Sequence, residues 1–242
     1  MKLRSLTLRR GDETQRAVFA VASDNELSLY EADPAFLLCA GELAQWERIK
    51  FAPKRQSFLL GRLAAKSALG GMLEEPDLAA LEIYAGVFGQ PLVRHPRALG
   101  VDVTLSHSHG VAVALAYPAA WPAGLDLETV APDAVAMLLA EMTLSDAEKS
   151  WVAAAVTPSS ACAVLWSARE ALGKALKTGV NSPLGVLSTF GIQAARSAAG
   201  APAWRGGYTN FSQFQWRAQI FDERVLVLAL PREIELDEWF SP

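Results

Sequence analysis

At 242 residues, 51% of them hydrophobic, the chain holds enough apolar side chain for one large domain or two modest ones, which excludes disorder as its default state. Charged residues make up 20% of it and the formal net charge is −4, so no global excess of base invites a nucleic acid, and any phosphate ligand must be held by a local cluster. The two cysteines, Cys39 and Cys162, stand in apolar stretches without metal-ligand spacing and read as reduced core residues of a cytoplasmic protein.

Taken in order, the N-terminal MKLRSLTLRRGDETQR has bases but no continuous apolar stretch, and is not expected to be a signal peptide. Residues 17–22 read as a strand, 36–49 and 55–73 as helices, and 101–106 and 111–117 as strands joined by a turn at His109-Gly110. The apolar run from Val111 to Trp121 is broken by Pro118 and is too short to span a bilayer, so a protein with no membrane segment is expected. Punctuation at Tyr117-Pro118-Ala119-Ala120-Trp121-Pro122 marks a boundary between two α+β halves, 1–118 and 119–242. Beyond it, Gly124 to Glu128 reads as a strand, 133–141, 145–156 and 160–177 as helices, and 186–193, 214–220 and 224–230 as strands. Ser145 and Glu148 have capping-box spacing, and 197–210 reads as a loop or irregular hairpin. The halves are expected to pack closely, with ligands in the cleft between them.

Four local patterns carry chemistry. In Gly124-Leu125-Asp126-Leu127-Glu128, strand alternation puts Asp126 and Glu128 on one face, where two carboxylates suit a hard divalent cation; the alternative is a solvated face with the leucines inward. On the 160–177 helix, Leu165, Ala168, Leu172 and Leu176 form a core stripe, while Glu170 and Lys174 share another face at i, i+4. By periodicity alone that pair is an exposed ion pair worth roughly a few tenths of a kcal/mol. Gly173, costly inside a helix, signals close approach by another group. Thr104-Leu105-Ser106-His107-Ser108-His109-Gly110 gathers hydroxyls and imidazoles that suit phosphate oxygens, whereas a hydrolase triad lacks its G-x-S-x-G elbow. Last, Arg48, Lys50, Lys54, Arg55, Arg62 and Lys66 form a basic set, with Arg55, Arg62 and Lys66 near one helical face, that is either solvated or able to neutralise a polyphosphate.

In this order and spacing the patterns resemble the larger, single-chain 4′-phosphopantetheinyl transferases, over about residues 42–193. Ser57 to Lys66 is similar to that family's first helix, Phe88-Gly89-Gln90-Pro91 to its G-x-P turn, and Leu105-Ser106-His107-Ser108 to its Ser-His motif. Gly124 to Glu128 resembles its G-x-D-x-E strand, and Trp166 to Lys174 its W-x-x-K-E-x-x-x-K helix. The resemblance implies an α+β fold of two similar halves related by pseudo-twofold symmetry, with coenzyme A at their interface. It implies that Asp126, Glu128 and Glu170 ligate Mg²⁺, that Arg48, Arg55, Ser106 and His107 contact the phosphates or nucleotide, and that Lys174 lies by the pyrophosphate. Arg169 stands where the family has lysine, and Gln90 where it has the lysine of a G-K-P turn.

The implied reaction is attack by a serine of an apo acyl or peptidyl carrier protein on the β-phosphate of coenzyme A, releasing 3′,5′-ADP. Glu170 is the implied base and Lys174 the partner of the departing phosphate. A monomer is the simpler expectation for a chain with two internal halves. Two other readings are a coenzyme A-binding scaffold with little turnover and a metal-dependent phosphodiesterase; the acidic composition disfavours the basic groove the latter needs.

Overall fold

The computed structural model describes residues 1–130, 143–181, 183–196, 200–221 and 223–236. It is an α+β protein whose chain divides into two compact units, Met1–Trp121 and Pro122–Pro242.

The first unit opens with strands β1 (Lys2–Arg10) and β2 (Glu13–Ser23), joined across Gly11, whose φ of 55° suits the tight turn. β1 is a strand despite its bases because Leu6 and Leu8, two apart and so on one face, are buried at its middle, while Lys2, Arg9 and Arg10 near its ends are exposed. Helices α1 (Ser28–Ala32), α2 (Ala40–Arg48) and α3 (Ala52–Leu73) follow, then a small hairpin of β3 (Glu82–Ala85) and β4 (Pro91–Arg94). Strands β5 (Val101–Ser108) and β6 (Val111–Pro118) meet at the expected turn, where His109 and Gly110 both have positive φ. The strands run in the order β1-β2-β6-β5, all antiparallel. α3 lies across them because the facing strand positions are small: Ala20 and Ala22 of β2, and Ala112, Ala114 and Ala116 of β6, pack with Leu59, Leu63, Ala64 and Ala68.

The second unit contains strand β7 (Gly124–Thr129), helices α4 (Asp146–Ala154) and α5 (Pro158–Ala175), and strands β8 (Thr189–Arg196), β9 (Pro202–Tyr208), β10 (Phe214–Phe221) and β11 (Arg224–Pro231). Their order is β7-β11-β10-β9-β8, again antiparallel. α5 packs Ala168, Ala171, Leu172 and Ala175 against Trp216, Ala218, Val225, Val227 and Ala229. The connectivity of the first unit recurs: a strand, a long helix on the sheet, then a hairpin whose last strand returns to pair with the first. In one unit β2 pairs with β6, in the other β7 with β11.

β1 and the β3–β4 hairpin go beyond the sequence reading, and one ambiguous segment is resolved. Of the loop or irregular hairpin expected over 197–210, the structure has the hairpin: Pro202–Tyr208 is a strand paired antiparallel with β8, with a register irregularity between Phe190 and Gln193, and Gly206 is needed there because a Cβ would stand 2.6 Å from the Trp216 ring. The β3–β4 hairpin is too short for periodicity to reveal. The helix expected over 133–141 lies outside the described residues. Among the described residues, no helix is long and apolar enough to cross a membrane.

Leu172, fully buried between α5 and the second sheet, is the cleanest probe of this packing. Leu172→Ala is expected to lower the stability of the second unit by about 2–5 kcal/mol in urea unfolding, with unchanged function per folded molecule at low temperature.

Candidate functional site

The central feature of the second unit is the closeness of β7 to α5. A Cβ at Gly124 would run into the carbonyl oxygen of Ala171, so only glycine lets the helix lie this near the strand. Two residues on, Asp126 points the same way and is buried, 4% exposed, under the helix. Leu125 and Leu127 are buried on the opposite face. The acidic face is therefore the helix-covered one, which corrects the alternative of a solvated carboxylate row.

Lys174 donates from Nζ to Asp126 Oδ1 at 2.7 Å, spanning the strand and the helix. Here the structure corrects the simple i, i+4 picture, because the ammonium reaches across to the strand instead of forming a surface pair along the helix. Gly173 beside it is met by the backbone of Gly179, at 2.5 Å from the position a Cβ would take. That contact explains a glycine inside a helix whose propensity it lowers.

Glu170, half-buried one turn before Lys174, has its carboxyl pushed above the usual range, first by burial, then by the negative charge of Asp126, with Lys174 opposing and Glu128 adding. Three carboxylates and one ammonium thus share a field at the β7–α5 contact. Glu128 also accepts from the backbone N–H of Thr129 at 2.9 Å. Oxygen donors that repel one another suit a hard cation by chemistry. Among the described residues no three ligating groups are already gathered around one point, and Lys174 is the charge that Asp126 faces.

The remaining residues carried over by resemblance lie on three elements of the first unit. Arg48 is exposed in the last turn of α2, and Arg55, in the first turn of α3, lays its guanidinium 3.8 Å from the centre of the Trp46 ring. His107 is on the face of β5 turned to α3, near Gly61, whereas buried Ser106 is on the other face. Arg62 and Lys66 are not a phosphate-neutralising face: both pair with buried Glu42, Arg62 Nε at 2.8 Å and Lys66 Nζ at 2.5 Å. Gln90 uses its amide within its own turn, accepting from the Phe88 N–H at 2.9 Å. Arg169, next to Glu170 in sequence, is fully buried and paired with Glu148. The capping-box role of Glu148 was legible from its spacing to Ser145 and is present, whereas the pairing of Glu42 and Glu148 with buried bases was not legible.

The family model of the 4′-phosphopantetheinyl transferase superfamily matches residues 122–230, a stretch that lies within the second unit. No curated protein matches the chain by sequence. Three solved structures are among those similar to about half of the chain. A holo-ACP-synthase from Plasmodium yoelii is 17% identical, covering 49% of this chain and 97% of its own, with a TM-score of 0.37. A holo-(acyl-carrier-protein) synthase from Bacillus anthracis str. Ames, in complex with CoA (3′,5′-ADP), is 18% identical over 48% of this chain and 97% of its own, with a TM-score of 0.38. An ACPS–CoA complex from Chronobacterium ammoniagenes is 13% identical over 48% and 96%, with a TM-score of 0.34.

The Asp126–Lys174 contact gives a stability test that separates it from a surface pair. Removing the ammonium from a carboxylate that is 6% exposed should cost about 2 kcal/mol or more, against a few tenths for a solvated pair. Lys174→Met is therefore expected to shift the urea midpoint of the second unit clearly downward; an unchanged midpoint would return Lys174 to the solvent.

Proposed function

We propose that this chain transfers the 4′-phosphopantetheine group of coenzyme A to a serine hydroxyl of an apo carrier protein, releasing 3′,5′-ADP, as a two-unit, single-chain member of its superfamily. The observation that carries the proposal is the convergence of Asp126, Glu170 and Lys174 at the β7–α5 contact, inside the stretch that the family model matches. A bland structural pairing would need one acid and one base. Here Lys174 pairs with Asp126 while Glu170 feels the charge of both, and of Glu128 as well.

Asp126, Glu128 and Glu170 would hold Mg²⁺, which when bound neutralises pyrophosphate charge and orients the displacement. Glu170 is the base for the serine proton, a role favoured by a carboxyl raised toward neutrality by burial and by neighbouring acids. Lys174 is the hydrogen-bond donor to the departing phosphate, kept near that position by Asp126. Arg48, Arg55, Ser106 and His107 are the proposed contacts of the coenzyme A phosphates and nucleotide. Because Ser106 and His107 face opposite sides of β5, they would serve different parts of the molecule. Stacking on Trp46 would orient the Arg55 guanidinium before any ligand arrives.

The experiment is to incubate the protein with coenzyme A, Mg²⁺ and a panel of apo carrier proteins and to follow carrier mass. A phosphopantetheine mass gain is expected with wild type and none with Asp126→Ala, whose circular dichroism should remain that of the folded chain. Glu170→Gln should lower kcat by roughly a hundredfold or more, the usual scale for losing an acid–base group. Coenzyme A binding with no transfer to any carrier would instead support a binding scaffold.

A further inference from the structure

Arg169 is buried to 0% exposure and its guanidinium is fully engaged. Nη2 donates to Glu148 Oε1 at 2.8 Å, Nη1 to the Leu165 carbonyl at 3.1 Å, and Nε to the Leu184 carbonyl at 3.2 Å. Glu148 is buried to the same degree and equally occupied. Its Oε1 also accepts from the Thr189 N–H at 2.8 Å and the Thr189 hydroxyl at 2.9 Å, and its Oε2 accepts from the Ser145 N–H at 2.9 Å. One ion pair thereby joins the N-terminus of α4, the middle of α5, the turn after α5 and the first residue of β8.

The first unit contains the same device built from different residues. Glu42 occupies the third position of α2, as Glu148 does of α4, and reaches back to the Cys39 N–H at 3.1 Å. Its other oxygen accepts from the Ile83 N–H of β3 at 3.2 Å, and Arg62 and Lys66 of α3 supply the positive charge. In both units, then, a buried glutamate caps its own short helix, binds a base on the long helix and receives an N–H from the strand that follows. A buried pair is a poor source of stability, since desolvation offsets most of the attraction, but it fixes orientation strongly. Recurrence in two units of different sequence points to that use.

We infer that Arg169 is a positioning residue: its clamp on Glu148 sets the rotation of α5 about its axis, and so brings Glu170 and Lys174, on another face of the helix, against Asp126 of β7. Side chains one residue apart on a helix diverge by about 100°, so Arg169 faces the α4 side while Glu170 faces the acid cluster. The kinetic part of the inference rests on the transferase reading; the geometric part does not. Arginine in place of the family's lysine is accounted for by this role, because three separate nitrogens reach three acceptors on different elements, and a single ammonium has no such spread.

The test uses Arg169→Lys and Glu148→Gln, both conservative, with thermal melts to show folding. In each background, a double-mutant cycle on Asp126→Asn and Lys174→Met, read by urea unfolding, measures how strongly strand and helix are coupled. The coupling factor in the unfolding equilibrium constant should fall at least about threefold in both backgrounds, and an unchanged factor would overturn the inference whatever the protein catalyses. Where transfer is active, both variants should lower kcat by about tenfold, leave coenzyme A affinity by calorimetry within about twofold, and show no further loss when combined. Coenzyme A affinity falling tenfold in Arg169→Lys, with Glu148→Gln unaffected, would mean that Arg169 touches the ligand, and would also overturn it. Absence of transfer by wild type would remove the proposed function and leave the coupling result to decide the positioning.

Discussion

The approach of β7 to α5 at Gly124 is the constraint from which the rest of the second unit's site follows. With no side chain at that position the helix backbone closes on the strand, and the next residue on the same face, Asp126, goes under the helix. A carboxylate buried there requires a nearby cation, and Lys174 is the one that reaches it. Glu170 and Glu128 then stand in the same field, and the Glu170 carboxyl is raised first by burial and then by the charge of Asp126. Packing, burial and proton affinity are thus consequences of one missing Cβ.

The two units show one connectivity carrying a charged strand–helix contact in one copy and an apolar one in the other. β2 pairs with β6 as β7 pairs with β11, and each first strand presents alternate residues to its long helix. On β7 these are Gly124, Asp126 and Glu128; on β2 they are Val18, Ala20 and Ala22. Val18 touches the helix at Gly71, so in the first unit the glycine has moved from strand to helix and the close contact is kept without charge. What both units retain is the buried glutamate that ties the short helix, the long helix and the next strand together. That shared element belongs to the frame, whereas the acids of β7 belong to the second unit alone.

Much of this was legible in the sequence where the signal is periodic. Alternation gave β7 and the β5–β6 hairpin, and 3.6-residue periodicity gave α3 and α5 to within a few residues. The strand β1 was hidden by its bases, because only Leu6 and Leu8 of its nine residues are buried, and β9 was left ambiguous by glycines that make room for Trp216. At the site, the types and spacing of Asp126, Glu128, Glu170 and Lys174 were visible, but not that Lys174 would cross to Asp126, since that contact joins residues 48 apart in sequence. Arg62 and Lys66 read as charges able to neutralise a polyphosphate, and Arg169 as a departure from the lysine of the resembled family; their burial against Glu42 and Glu148 depends on tertiary packing that no local pattern encodes.

If the acids at the β7–α5 contact form a cation site, folding and metal binding must be linked, because an ion that binds only the native cluster stabilises it by mass action. The most direct measurement is the melting temperature of the wild-type protein and of Asp126→Asn as a function of Mg²⁺ at constant ionic strength, with no coenzyme A or carrier present. The account predicts that the wild-type melting temperature rises with Mg²⁺ and saturates, while that of Asp126→Asn stays flat. A wild-type melting temperature indifferent to Mg²⁺, or an equal rise in both proteins, would contradict it.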